Sequence, residues 1–132
     1  MDAQAHVLVV EDNELVSSAL RILLESANHR LSIAASVAET LDIVAHDPPD
    51  LVFLDLTLPD GDGLALVQPL LTAGSRAVVV LTGHDDHETR ERCLAAGCAD
   101  VLVKPVPARD LLAKSAAWLS DATKSTRPIS DP

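Results

Sequence analysis

The chain has 132 residues, a length that suits one domain. Hydrophobic residues make up 48% of it, yet there is one Phe, one Trp and no Tyr, so the core must be aliphatic. A formal net charge of −10 argues against a nucleic-acid-binding surface, which needs Lys and Arg to neutralise phosphates, and against adhesion to anionic lipid.

The opening MDAQAH has no basic stretch of the kind that starts a secretory leader. No apolar run reaches the length of a membrane span. Two cysteines, Cys93 and Cys98, make no disulfide framework. Together these features predict a cytoplasmic protein with reduced thiols.

A first buried strand is expected at Val7 to Val10. The pattern NELVSSALRILLESA predicts a helix capped by Asn13, with Leu15, Ala19, Leu20, Leu23 and Leu24 on its core face. Leu31 to Ala34 is a mixed run interrupted by Ser32, which suits an edge strand. Ser36 with Glu39 three residues on is a capping box at the start of a second helix. Leu51 to Leu54 is a continuous apolar run, as in a strand buried on both faces. In GLALVQPLLTAG, Pro69 predicts a kink or a short helix. Ala77 to Leu81 is the fourth strand. DDHETRERCLAAG begins with acids and closes on Gly97, the polarity of a capped helix. Val101 to Val103 is the fifth strand, and ARDLLAKSAAWLS the last helix. Residues 1–120 form the expected domain. The polar, Pro-containing residues 121–132 are expected to be a flexible tail or the start of a linker.

Strands alternating with helices predict an α/β domain, a doubly wound parallel sheet with helices on both faces. Right-handed crossovers then bring every strand's carboxyl end to one rim, where open parallel sheets bind ligands. Glu11 and Asp12 follow the first run, Asp55 the third, Thr82 the fourth and Lys104 the fifth. Three carboxylates close together repel one another, and a hard divalent cation such as Mg²⁺ relieves that repulsion. Lys104 adds a positive charge and Thr82 a hydroxyl donor, parts that can stabilise charge on a transferring phosphoryl group. The chemistry this predicts is attack by the Asp55 carboxylate on phosphorus, giving an acyl phosphate.

The segments VVEDNE, LVFLDLTLPDGDG, VVVLTG and AAGCADVLVKP occur in that order between Val7 and Leu119. In this the chain resembles the response-regulator receiver domains of two-component signalling. The resemblance implies a flavodoxin-like, five-stranded parallel sheet of strand order 2-1-3-4-5. It implies that Asp55 accepts a phosphoryl group from a sensor histidine kinase or phosphotransfer protein. Asp12 would bind Mg²⁺ (or another divalent cation such as Mn²⁺) directly, Glu11 chiefly through water, and the Thr57 backbone carbonyl would complete the set with Asp55. Lys104 would pair with a phosphoryl oxygen, Thr82 would swing toward it, and the peptide bond before Pro105 would be cis. An output domain or effector would read the result, and the face of the fourth helix, fifth strand and last helix is the expected surface for partners or a homodimer. Trp118 is placed beside that face or at the edge of the core.

One position departs from the family pattern. Val101 stands where family members often carry Tyr or Phe, so no aromatic ring can follow the Thr82 hydroxyl inward. The signal is then expected to leave through the loop after Thr82 and the helix behind it. Thr57 and His84, each two residues beyond a key group, are candidates for setting the lifetime of the acyl phosphate.

Other readings fit less well. His84, His87, Cys93 and Cys98 match no common zinc spacing. DGDG places Leu64 where a calcium loop needs an oxygen ligand. A phosphohydrolase with an Asp nucleophile, resembling the haloacid dehalogenases, would use similar parts, but its nucleophile comes early and its metal-binding acids late. A receiver-like interaction module that is never phosphorylated is the remaining alternative.

Overall fold

The computed structural model describes residues 5–27 and 29–125, leaving aside the side chains of 120–125. Five strands form one parallel sheet: β1 (His6–Val10), β2 (Arg30–Ala34), β3 (Leu51–Asp55), β4 (Ala77–Thr82) and β5 (Asp100–Val103). Their order is β2-β1-β3-β4-β5, the doubly wound, flavodoxin-like arrangement. Five helices alternate with them: α1 (Glu14–Glu25), α2 (Val37–His46), α3 (Val67–Thr72), α4 (His87–Ala96) and α5 (Ala108–Ser125). The last helix therefore continues past Ser120. Residues 126–132, in the segment read as tail or linker, lie outside the described residues.

Side chains alternate along each strand, which divides the core into two layers. Leu8, Val10, Val52, Leu54, Val78 and Val80 face one way and pack with α2, α3 and α4. Val7, Val9, Leu51, Phe53, Val79 and Leu81 face the other way and pack with α1 and α5. Phe53 is the largest fully buried side chain, and apart from Cys93 and Cys98 the other buried hydrophobic residues are aliphatic. Trp118 packs at the edge of the α1/α5 layer, half-buried.

The caps follow the sequence. Asn13 Oδ1 accepts from the Leu15 and Val16 N–H groups. Ser36 Oγ accepts from Glu39 N–H, and Glu39 reaches back to the N–H of Ala35. Pro69 is tolerated because it lies in the first turn of the short α3, where its missing N–H has no intrahelical partner to lose. Gly97 closes α4 at φ 110, with Gly97 N–H donating to Leu94 O and Cys98 N–H to Cys93 O. That is a Schellman motif, and Cys93 and Cys98 supply its buried contact.

Two assignments on α1 are corrected. Leu15 and Ala19 do not join the core: Leu15 is 83% exposed, and both line a groove of about 540 Å³ beside Lys104 and Pro105. The buried side carries Leu24, as expected, together with Ser17. Ser17 can be buried because its hydroxyl donates to Glu14 O. The polar Ser32 in the edge strand also has a reason. Its Oγ lies 2.7 Å from Nε2 of the buried His6.

Candidate functional site

Register sets the site. Val10 pairs with Leu54, Asp55 with Leu81, and Thr82 with Val103. Glu11, Asp55, Thr82 and Lys104 therefore emerge together at the carboxyl rim. The strand pleat turns Asp55 to the same side as Leu51 and Phe53, under α1 and α5. Glu11, Asp55 and Thr82 are buried, Asp12 is exposed, and Lys104 is partly buried.

Glu11, Asp12 and Asp55 each offer a carboxylate oxygen, all within 4.8 Å of one another. Lys104 Nζ donates to Glu11 Oε1 at 2.9 Å and stands 3.7 Å from Asp55 Oδ1. Three carboxylates thus face one ammonium. Burial pushes the Glu11 carboxyl above its ordinary pKa, and the neighbouring Asp55 charge adds to this. The Lys104 ammonium and the Asn13 N–H, which donates to Glu11 Oε2, oppose the rise.

Backbone contacts lock these groups in place. Glu11 N–H donates to Ala34 O, and Lys104 N–H donates to Thr82 O. The Lys104–Pro105 peptide is cis. Thr57 N–H donates to Asp55 Oδ1 at 3.3 Å. Thr82 Oγ1 accepts from His84 N–H at 3.0 Å. Val101 is buried in the α2/α3/α4 layer beside Cys93 and Cys98.

Hard oxygen donors in excess over nearby positive charge are the donor set that Mg²⁺ takes. Glu11, Asp12 and Asp55 therefore fit a divalent cation. Among the described residues, His84, His87, Cys93 and Cys98 form no metal-capable group.

Several residues that shape the site are not marked as such by the sequence pattern. Thr57–Leu58 and Gly61–Asp62 form a small antiparallel hairpin directly after Asp55. Asp60 at its tip accepts from the Val37 and Ala38 N–H groups, tying it to the start of α2. Those two hydrogen bonds hold the Asp60 carboxyl below its usual range. Arg92 Nη2 of α4 donates to Asp62 Oδ2 at 3.3 Å. A cleft of about 330 Å³ between hairpin and α4 is lined by Leu56, Thr57, His84 and Arg92, among others. The sequence contains the Gly and Asp residues of this loop, but their partners lie far along the chain and only the fold brings them together.

The description "Response regulator receiver domain" belongs to a family model that matches residues 7–116. The chain belongs to this family. Among curated relatives of the receiver domain, the response regulator MprA of Mycolicibacterium vanbaalenii is 36% identical over 118 residues, covering 89% of this chain and 51% of that protein. The TorCAD operon transcriptional regulatory protein TorR of Escherichia coli O157:H7 is 30% identical over 125 residues, covering 93% of this chain and 54% of its own. This receiver chain thus spans about half the length of the curated relatives it matches. A solved CheY-like receiver domain from Methanospirillum hungatei JF-1 superposes with a TM-score of 0.86 at 28% identity, covering 93% of this chain and 99% of that one. The receiver domain of a sensor histidine kinase from Pseudomonas aeruginosa PAO1, solved with magnesium coordinated in its active-site cleft, gives a TM-score of 0.79 at 26% identity over 89% and 99% of the two chains.

Among the described residues of this receiver domain, no helix is long and apolar enough to cross a membrane.

Proposed function

We propose that this receiver domain is a signalling switch that becomes phosphorylated on Asp55. The observation that carries the reading is the position of Lys104 Nζ, 3.7 Å from Asp55 Oδ1 at the edge of a three-carboxylate cluster. An anionic phosphoryl group meets both a nucleophile and a fixed positive charge there. An Asp55 carboxylate oxygen attacks phosphorus, a P–O bond forms, and the P–N bond of a donor phosphohistidine breaks with its electron pair returning to the imidazole. Burial at a strand end restricts Asp55 to few orientations, which favours that attack. Lys104 then binds a phosphoryl oxygen, and the Thr82 hydroxyl turns from the His84 N–H to donate to another.

Glu11, Asp12, Asp55 and the Thr57 carbonyl would hold Mg²⁺ or Mn²⁺. The cation supplies charge neutralisation among the carboxylates and on the phosphoryl oxygens. Thr57 and His84 flank the phosphoryl position and set its lifetime; an unchanged lifetime in His84→Ala removes that role.

The phosphoryl group biases an existing two-state equilibrium, and the change is read as altered affinity for a partner. The donor is a sensor histidine kinase or phosphotransfer protein, and the reader an output domain or effector. The face of α4, β5 and α5 is the surface for that reader or for a second copy. Residues 1–120 make up the switch, with 121–132 as a tail or the start of a linker. It works in the cytoplasm, binds neither nucleic acid nor membrane itself, and turns over no substrate other than its own phosphoryl group.

The test is incubation with acetyl phosphate and Mg²⁺ followed by intact-mass measurement. The chain should gain one phosphoryl group, and Asp55→Asn none. Repeated turnover of a phosphomonoester would instead make the protein a phosphohydrolase.

A further inference from the structure

The hairpin after Asp55 is moored on three sides. At its base, Thr57 N–H donates to the Asp55 carboxylate. At its tip, Asp60 caps α2. On its outer strand, Asp62 is the cross-strand partner of Thr57, and its two oxygens divide their work. Oδ1 accepts from Leu64 N–H, and Oδ2 receives Arg92 from α4. Arg92 also lines the cleft whose wall includes His84 and Leu56 and Thr57, the two residues that follow Asp55.

The contacts close a ring. Asp55 leads through Thr57 and Asp62 to Arg92 on α4. The first turn of α4 is capped by Asp86, whose Oδ1 accepts from Thr89 N–H. The loop before that cap carries His84, whose N–H is held by Thr82 Oγ1. The Arg92–Asp62 pair is the link in this ring that spans the cleft between two independently anchored elements. Both side chains are half-exposed, so the pair adds little to folding. It does bridge the hairpin and α4.

We propose that Arg92 is a positioning residue that, through Asp62, holds this cleft narrow and so limits the access of water to a phosphoryl group on Asp55. The inference rests on Asp55 being the phosphoacceptor. Hydrolysis needs a water placed in line with phosphorus, and the cleft is lined by Thr57, whose N–H holds the Asp55 carboxylate, and by His84, whose N–H is held by Thr82. Loss of the ion pair frees the hairpin from α4, admits water more often and shortens the lifetime of the acyl phosphate.

The experiment loads the full chain with acetyl phosphate and Mg²⁺, removes the donor by desalting, and follows loss of the phosphoryl group by intact mass. Arg92→Ala should hydrolyse about two- to fivefold faster than wild type, the range expected for losing one exposed ion pair. Asp62→Asn keeps the acceptor for Leu64 N–H and loses the charge, so it should match Arg92→Ala. The double variant should be no faster than either single one. Arg92→Lys should restore most of the wild-type lifetime. Raising salt to about 1 M should bring the wild-type and Arg92→Ala rates together, because screening removes the pair in one and finds nothing to remove in the other. A merely structural role would lower the melting temperature without this salt-dependent convergence. An Arg92→Ala rate equal to wild type, or effects that add in the double variant, overturns the inference and leaves the phosphoacceptor reading standing. A wild-type chain that never gains the phosphoryl group overturns both.

Discussion

Gly63 lies against the backbone of Asp55: a Cβ at position 63 would fall inside contact distance of the Asp55 carbonyl oxygen and 3.0 Å from Leu56 Cα. Gly63 N–H also donates to Leu56 O at 2.8 Å, closing the hairpin. No left-handed backbone is involved; the requirement for glycine is one of space alone.

Gly63→Ala must therefore push backbone against backbone, with no flexible side chain to yield. The expected cost is about 1–3 kcal/mol, as for other overpacking changes. Displacement of Asp55 should also slow its phosphorylation. Urea unfolding and phosphoryl uptake from acetyl phosphate check the two effects, and normal uptake in a destabilised Gly63→Ala chain would show that Asp55 is held by its strand alone.

Lys104 is the ammonium that meets the carboxylate cluster, pairing with Glu11 at 2.9 Å. Lys104→Ala removes one positive charge a few ångströms from where a divalent cation binds. Mg²⁺ affinity should rise at least about fivefold, since a unit charge at this range is worth about 1 kcal/mol even in water. Phosphorylation should slow ~100-fold, the effect of deleting a donor to developing negative charge. Isothermal titration with Mg²⁺ and phosphorylation kinetics measure the opposed changes; weaker Mg²⁺ binding in Lys104→Ala would contradict the electrostatic argument.

Thr82 Oγ1 holds the His84 N–H in this structure. With Val101 in place of an aromatic ring, the loop from Thr82 to Asp86 is the expected path from site to surface. Phosphorylation should change amide hydrogen exchange in α4 of the wild type. Thr82→Ala should still accept the phosphoryl group but show no such change. An α4 response that survives the substitution would move the path elsewhere.

Cys98 is buried at the C-cap of α4, and burial pushes its thiol up to about 12 from an ordinary 9.0. Above pH 9 the unfolded chain loses this proton while the folded one keeps it, so stability falls as pH rises from 9 toward 12. The urea midpoint of wild type should fall over that range more steeply than that of Cys98→Ala. At pH 8 almost no thiolate is present, and iodoacetamide should label Cys98 only after unfolding. Rapid labelling of the native chain at pH 8 would contradict the burial.

The sheet was legible because four of the five apolar runs are continuous and strand-length, and the gathering of Glu11, Asp12, Asp55 and Lys104 follows from which residue ends each run. Caps were legible too, since Asn13, Ser36 and Gly97 act within a few residues of themselves. What failed on α1 failed for a physical reason. Apolar residues occur on more than one side of it, and periodicity does not say that Leu15 borders a groove while Ser17 turns inward. The Asp62–Arg92 pair and the seat of Gly63 against Asp55 depend on how loops fold over one another, and no local pattern encodes that. Gly63 entered the sequence reading only as part of the DGDG segment.

The acidic cluster, the lysine and the threonine all stand at strand ends, rooted in a sheet sealed between two apolar layers, while the exposed Leu15 and Ile22 ride on the outside of α1. The reactive groups are thus rooted in the sheet, and α1 presents an apolar surface apart from them. A substitution at Ile22 can change that surface while the strand-end groups keep their places.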